Sequence, residues 1–516
     1  MALKKDIYRA LEDVVGPENV SEDPVILDAY AWRSGLVATP QLFVPPFEAV
    51  TLPGNTAEVQ AIVRLCNRHG LQFKASSTGW GGYCDPTGPG VVKLDLRRMD
   101  RVIEINEKNM YAVVEPYVIF AQLQGELMKH GLICNITGAG SNCSAMPLAA
   151  HQGIGHMSQS ASYGDRNLLG VEWVAPDGEI VRLGSLAASG DWFCGDGPGP
   201  SLRGIIRGNT VPLGGLGVFT KAAQKVYHWA GPATFPIEGV SPDYAPAEIP
   251  PGFAVRYLHF PSSDIMTQAV RKVGECEIGF ILMGFNPAMV SANKARSNEE
   301  DMALLRQYTA EVQGPGFLLI IIGNSPDDFD YKTEALKVIM EQFHGKSLRD
   351  VEDPASAGGF LWRFIRVTSS LRETCRATGC FGGEVGGTDV FGLMSAYIHR
   401  ASRVKQRYID KGLLHNDGTD PFVQSIEHGH QGHGEMLIRY FPANPESAQA
   451  GFELFMEANR TAVEGRFGVP AHVWSDAIHD MYGPYACNYT KWLRKIKKTF
   501  DPNAASEPGH YISAKD

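Results

Sequence analysis

Phe73-Lys74-Ala75-Ser76-Ser77-Thr78-Gly79-Trp80-Gly81-Gly82-Tyr83 runs from an apolar lead into a loop of small residues and glycine. Small side chains let backbone N–H groups turn inward, which is how a loop after a strand cradles a phosphate. The residues upstream deliver the chain to it. Asn55 is a helix cap with Glu58 three residues on as its reciprocal partner. Val59, Ile62, Val63 and Cys66 recur at helical spacing, and Gly70 stops the run. A strand follows at 71–75, then the loop. Further strands are predicted at 91–96 and at 111–116, where Pro116 ends the run. A helix is predicted over 120–130. This alternation of strand and helix implies an α/β or α+β unit.

Beyond it, 137–165 is small and polar with few apolar anchors, including His151-Gln152-Gly153-Ile154-Gly155. A compact domain keeps so long an irregular stretch mainly where it has work to do. Residues 171–181 read as a hairpin around Asp177-Gly178. Prolines crowd 232–251 and place a boundary there. Residues 253–460 then alternate strands (254–259, 278–284, 316–322) with helices (293–313, 332–343, 446–464), a second α+β unit.

Bulk properties narrow the class. A chain of 516 residues exceeds what one core supports, so two or more units are expected. With a net charge of −10 and no basic stripe, nucleic acid is not the expected partner. The apolar run Phe317–Ile322 is too short to span a bilayer, and Met1–Asp6 does not open a signal peptide, so a cytoplasmic protein is expected. Nine cysteines without a CxxC pair are expected to be reduced thiols. One cluster carries visible chemistry: Glu427-His428-Gly429-His430-Gln431-Gly432-His433-Gly434-Glu435, ahead of an apolar strand. On an extended strand, His428 and His430 share a face.

Taken in order, several strings resemble the flavin-binding proteins of the vanillyl-alcohol oxidase and p-cresol methylhydroxylase family. They are Glu58 through Asn67, Ser77-Thr78-Gly79, Leu94 through Asp100, Val114-Glu115-Pro116, Tyr163-Gly164-Asp165, Gly199-Pro200 with Leu202 and Gly204, Gly217 through Lys221, and Asp501-Pro502-Asn503 with Pro508-Gly509. The resemblance implies an α+β fold: an FAD-binding domain of two α+β subdomains, with an inserted α+β cap domain over the flavin. The FAD domain is then 1–230 with 465–516 returning to it, and the cap is 231–464. The resemblance assigns the FAD pyrophosphate to Ser77, Thr78, Gly79, Trp80, Gly81 and Gly82. Pro116, His151, Gly153, Gly155, Gly164, Gly217 and Val218 complete the cofactor tunnel. The first loop has no histidine, so non-covalent FAD is expected, with a histidyl link through His428, His430 or His433 as the alternative.

Flavin alcohol oxidation needs a donor carbon held near the ring, a proton acceptor and stabilisation of developing charge. Asp165 is the candidate acid–base group, because its string resembles the family segment that places a carboxylate near the flavin. His430-Gln431-Gly432-His433-Gly434-Glu435 resembles the histidine segments of the flavin 2-hydroxyacid dehydrogenases and of alkyl-dihydroxyacetone-phosphate synthase. His430 and His433 are therefore expected to handle protons, or His428 and His430 to bind a divalent metal. The second metal-ligand histidine of the hydroxyacid enzymes falls on Leu437 here. Leu361-Trp362-Arg363-Phe364-Ile365-Arg366 resembles the arginine string that fixes a substrate carboxylate, so Arg363 and Arg366 are candidates for an anionic group. Tyr83 lies where phenol-oxidising enzymes place a substrate tyrosine. Their phenolate-holding Tyr-Arg pair, however, falls on Gly468 and Val469.

The resemblance implies an FAD-dependent oxidoreductase that takes a hydride from an alcohol or benzylic carbon of a small aromatic or phenolic substrate. The alternatives are a 2-hydroxyacid dehydrogenase of the lactate or glycolate type, and a flavin-dependent carbon–oxygen transferase or lyase without net oxidation. An electron-acceptor protein subunit and a homo-oligomer are the partners expected.

Overall fold

The computed structural model describes residues 3–31, 43–79, 84–150, 154–192, 201–208, 211–236, 238–240, 243–244, 248–312, 314–367, 375–419, 421–468 and 475–515. Trp80, Gly81, Gly82, Tyr83, His151 and Gly153 lie outside them. Among the described residues, three larger sheets organise the chain.

The first sheet orders Val20–Ser21, Ala49–Thr51, Val91–Asp95 and Gln72–Ser76, the last three parallel. The helix Thr56–His69 covers it. Asn55 accepts from the Glu58 N–H at 3.0 Å, the Glu58 carboxylate accepts from the Gly54 N–H at 2.7 Å, and Gly70 closes the helix at φ 65°. Its face of Val59, Ile62, Val63 and Cys66 is buried against Phe73, Val92 and Leu94. The chain end joins this sheet too: the Phe73 N–H donates to the Ala505 carbonyl at 2.8 Å, and the Glu507 N–H to the Phe73 carbonyl at 3.0 Å.

The second sheet is antiparallel, ordered Val102–Asn106, Tyr111–Val114, Val218–Lys225, Leu168–Val174 and Ile180–Leu183. The turn at Asp177-Gly178 joins its last hairpin, with Gly178 at φ 89°. The third sheet is antiparallel and six-stranded, ordered Phe253–His259, Gly316–Ile322, Ile281–Gly284, Phe422–Ile426, Gln431–Arg439 and Phe381–Asp389.

Phe317–Ile322, the run too short for a bilayer, is a strand buried on both faces. Leu318 and Ile320 pack with Met128, Ile133, Met157 and Trp362, while Phe317, Leu319 and Ile321 pack with Met266, Val270 and Leu336 on the opposite side. Period-two alternation splits one apolar run between two cores, which is why it reads as continuous. No helix among the described residues is long and apolar enough to cross a membrane, and the described cysteines are free thiols.

One expected helix is two. The run 293–313 is Pro287–Lys294 followed by Asn298–Glu311. Ser297 restarts the helix by accepting from the Glu300 N–H at 3.1 Å, while the Glu300 carboxylate accepts from the Arg296 N–H at 2.7 Å. This reciprocal cap satisfies donors that a continuous helix would have used internally.

Gly217 is held by packing. Its φ is +84°, and a Cβ there would lie 2.3 Å from the Val174 carbonyl oxygen and 2.6 Å from Trp173 Nε1. Its N–H donates to Ser506 Oγ at 2.9 Å. Gly217→Ala is expected to cost about 2–3 kcal/mol, the range for overpacking a tight site. A lowered thermal midpoint, measured both with and without FAD, checks this.

Candidate active site and cofactor loop

The strand Gln72–Ser76 ends in Ser77, Thr78 and Gly79. The Thr78 N–H donates to Ser144 Oγ at 3.3 Å, and Ser144 Oγ donates to Thr78 Oγ1 at 3.3 Å. The first glycine-rich loop is thus tied to the second small-residue segment. Gly79 sits at φ +71°, and among the described residues other than its chain neighbours no atom lies within 4 Å of where its Cβ would stand. A left-handed glycine lets the backbone N–H groups after the strand turn inward, so these residues are compatible with a phosphate-bearing cofactor. Pro116 is buried at the end of its strand. Gly155 is a crossing point between the two parts of the chain. A Cβ there would stand 1.7 Å from Asn135 Oδ1, and the Gly155 carbonyl accepts from Gln424 Nε2 at 2.8 Å. Val218 is buried beneath the first sheet.

The densest chemistry lies where Tyr163-Gly164-Asp165 meets the strand Gln431–Arg439. Tyr163 Oη stands 2.8 Å from His433 Nδ1, and both residues are buried, at 3% and 1% exposure. On the other side of the ring, His433 Nε2 is 3.7 Å from a Glu435 carboxylate oxygen. Burial lowers the His433 pKa, with the Glu435 hydrogen bond and charge opposing, so the imidazole is neutral near pH 7. With its proton on Nε2, facing Glu435, Nδ1 accepts from the Tyr163 hydroxyl. The opposite strand places Gln424 across from His433, on the same face, where it reaches Gly155.

Asp165 follows Gly164 in a short 3-10 turn, Gly164–Asn167. Burial raises its carboxyl above the ordinary range, and the charges of Arg166 and Arg207 only partly offset this. A carboxylate tuned upward in this way is suited to taking a proton.

The expected shared face of His428 and His430 is not formed. The strand ends at Ile426, and Glu427, His428 and Gly429 take left-handed φ values of 49°, 56° and 85°. Both histidines belong to the turn, where His430 is exposed. The turn bends because it docks on the segment before Tyr163. The Glu427 N–H donates to the Ser158 carbonyl at 2.9 Å and the His428 N–H to the Gln159 carbonyl at 2.8 Å. Ser162 Oγ donates to the Glu427 carboxylate at 2.6 Å, and Arg166 pairs with that carboxylate. Among the described residues, no group of three His, Cys, Asp or Glu side chains could hold a metal ion.

Arg363 and Arg366 lie on the helix Pro354–Arg366. Arg363 is buried, and its Nη1 donates to the Asn293 carbonyl at 3.4 Å. The Arg366 guanidinium stands 5.9 Å from the Phe235 ring centroid. Two residues escaped sequence reasoning. His156, one position past Gly155, is buried, and its Nδ1 donates to the Phe364 carbonyl at 3.0 Å. Burial, opposed by the Phe364 hydrogen bond and reinforced by the Arg363 charge, pushes its pKa down to about 4. Tyr163 stands in the sequence only as part of the Tyr163-Gly164-Asp165 string, and its bond to His433 spans 270 positions.

Residues 47–184 match the FAD binding domain family. The chain is 23% identical to the 4-cresol dehydrogenase [hydroxylating] flavoprotein subunit of Pseudomonas putida, over 90% of this chain and 87% of that protein. It is 22% identical to the mitochondrial D-lactate dehydrogenase [cytochrome] of Arabidopsis thaliana, over 90% of this chain and 73% of that protein. Its fold matches 4-ethylphenol oxidase from Gulosibacter chungangensis, solved as an isoeugenol complex, with a TM-score of 0.75 at 20% identity over 98% and 97% of the two chains. The matched FAD binding domain, the α+β fold and these likenesses converge: the chain is an FAD-dependent oxidoreductase with the fold of the vanillyl-alcohol oxidase and p-cresol methylhydroxylase proteins.

Proposed function

We propose that this enzyme oxidises an alcohol or benzylic carbon of a small aromatic or phenolic substrate. The observation that carries the reading is the buried Tyr163–His433 pair, with Asp165 two positions along the chain from Tyr163 and its carboxyl raised by burial. When bound, FAD supplies the ring that accepts a hydride. Ser77, Thr78 and Gly79 hold its pyrophosphate through backbone N–H groups. The Asp165 carboxylate takes the proton from the substrate hydroxyl. The Tyr163 hydroxyl, its own proton directed at His433 Nδ1, anchors the turn that carries Asp165. Neutral His433 holds Tyr163 in place, and Glu435 fixes its tautomer.

The relatives named for 4-cresol and 4-ethylphenol support an aromatic donor. The first of these relatives is a flavoprotein subunit, which supports a protein electron acceptor for this chain as well. FAD is held non-covalently, so acid precipitation of the protein leaves the flavin in the supernatant. A second reading, 2-hydroxyacid dehydrogenation, is favoured by buried Arg363 beside His156 and by the D-lactate dehydrogenase likeness.

Anaerobic mixing with 4-alkylphenols and benzylic alcohols, and separately with D-lactate and glycolate, tests both. Bleaching of the flavin absorbance by the phenolic set alone supports the first reading; bleaching by the hydroxyacids alone replaces it with the second. Product formation without bleaching would overturn both in favour of a carbon–oxygen transferase or lyase. Tyr163→Phe is expected to slow flavin reduction by about 10–100-fold with FAD still bound, the scale of losing one orienting hydrogen bond. His430→Ala, on the exposed turn, is expected to leave the rate unchanged.

A further inference from the structure

We propose that Glu507, in the returning C-terminal tail, buckles the two ends of the cofactor loop together and so sets the affinity for FAD. This rests on the reading that the loop opened by Ser77-Thr78-Gly79 holds the pyrophosphate. The Glu507 carboxylate is buried, at 1% exposure. Before the loop, it accepts from Lys74 Nζ at 2.9 Å. After the loop, it accepts from the Thr87 N–H at 3.3 Å and from Thr87 Oγ1 at 2.5 Å. The Gly509 N–H donates to it at 3.1 Å. Lys74 lies three positions before Ser77, in the strand that delivers the loop, and is itself fully buried. One carboxylate therefore joins both sides of the loop.

The tail that carries Glu507 is held in turn by the FAD-binding part of the chain. Its backbone bonds along Phe73, Ser506 Oγ accepts from the Gly217 N–H at 2.9 Å, and Lys497 Nζ donates to the Ser506 carbonyl at 2.8 Å. Lys497 is buried and pairs with Asp501, itself buried. Contact with Thr87 is tight: a Cβ on Gly509 would lie 2.0 Å from Thr87 Cγ2. Burial alone would raise the Glu507 pKa, but the Lys74 charge and the Thr87 and Lys74 hydrogen bonds outweigh it and bring it down to about 2. The buckle is therefore charged at neutral pH. A loop whose ends are fixed beforehand spends less ordering entropy on its ligand, so the buckle acts through affinity rather than through chemistry. Glu507 is a positioning residue.

The test measures FAD dissociation constant and release rate on the full chain, with the thermal midpoint of each variant. Thr87→Val removes the far hydroxyl arm and keeps the buried ion pair, so the protein folds; it is expected to weaken FAD binding about tenfold, the scale of one such hydrogen bond. Glu507→Ala combined with Lys74→Met removes both arms without leaving a buried unpaired charge; it is expected to weaken binding about 100-fold or more. Gly79→Val strains the loop itself and reports on its role independently. If Gly79→Val weakens binding while the other two stay within about twofold of the parent, the loop holds FAD but the buckle is refuted. If Gly79→Val leaves affinity unchanged, the loop is not the FAD site, and the buckle falls with that reading. Weakened binding in all three supports it.

Discussion

Asp165→Asn is expected to leave FAD bound and to slow flavin reduction by substrate by about 10²–10⁴-fold, the range that a positioned proton acceptor contributes. Asparagine keeps the shape of the side chain and can still accept a hydrogen bond, but it cannot take a proton at neutral pH. The sign of the pKa shift separates this from a structural effect. Burial raises the Asp165 carboxyl in the folded protein, so its ionised form costs stability above that raised value. A neutral asparagine relieves the cost, and the variant should melt no lower than the parent near pH 7. In the parent, the reduction rate should rise with pH through the raised Asp165 pKa, as the carboxylate forms. That acid limb should be absent in the variant. An unchanged reduction rate would remove Asp165 from the mechanism, and a lower melting point would mark it as a structural residue instead.

The largest stability effect is expected at Asp417. It accepts from Lys405 Nζ at 2.7 Å and pairs with Arg439 Nε at 3.2 Å, with all three side chains at 4–5% exposure. Asp417→Ala would leave two buried cations facing each other without a counter-charge. Breaking a buried pair from one side costs about 3–5 kcal/mol. Arg439 ends the strand that carries His433, and Lys405 lies on the helix Met394–Asp410. Damage should therefore reach His433 through the strand.

Burial raises the Asp417 pKa, but the Lys405 and Arg439 charges outweigh it and hold the value below the ordinary carboxylate range. The stabilisation is thus present in full above the unfolded value of about 3.9 and is lost as pH falls through the lower folded value. Thermal melts of the parent should stay flat in this contribution from pH 7 to about 4 and drop below it. The variant should be destabilised throughout and lack that acid-dependent loss. A change under about 1 kcal/mol would show that the two cations find other partners.

Much of the molecule was legible locally. The Asn55–Glu58 cap, the periodic face behind it and the stop at Gly70 all lie within one helix. The strands at 72–76, 91–95 and 316–322 announce themselves by apolar runs between turn residues. The helix break at Ser297 was written in the sequence as a reciprocal cap with Glu300, but the helical spacing on either side masked it. The histidine cluster was legible as chemistry and misleading as geometry. Where the hairpin turns decides which histidine faces inward. That point depends on Ser158, Gln159, Ser162 and Arg166, more than 250 residues away.

By itself, the sequence determined the α+β class, the glycine-rich loop after the strand and the flavin chemistry that the ordered strings imply. Those signals are carried by neighbours in the chain, where backbone freedom, capping and period-two or helical burial act over a few residues. Only the tertiary structure decided that His433, rather than His430, meets Tyr163. It also decided that Glu507 reaches Lys74 across 433 positions, and that Asp417 stands between two cations. Such pairings form when buried charges and polar groups must find partners wherever the fold brings them.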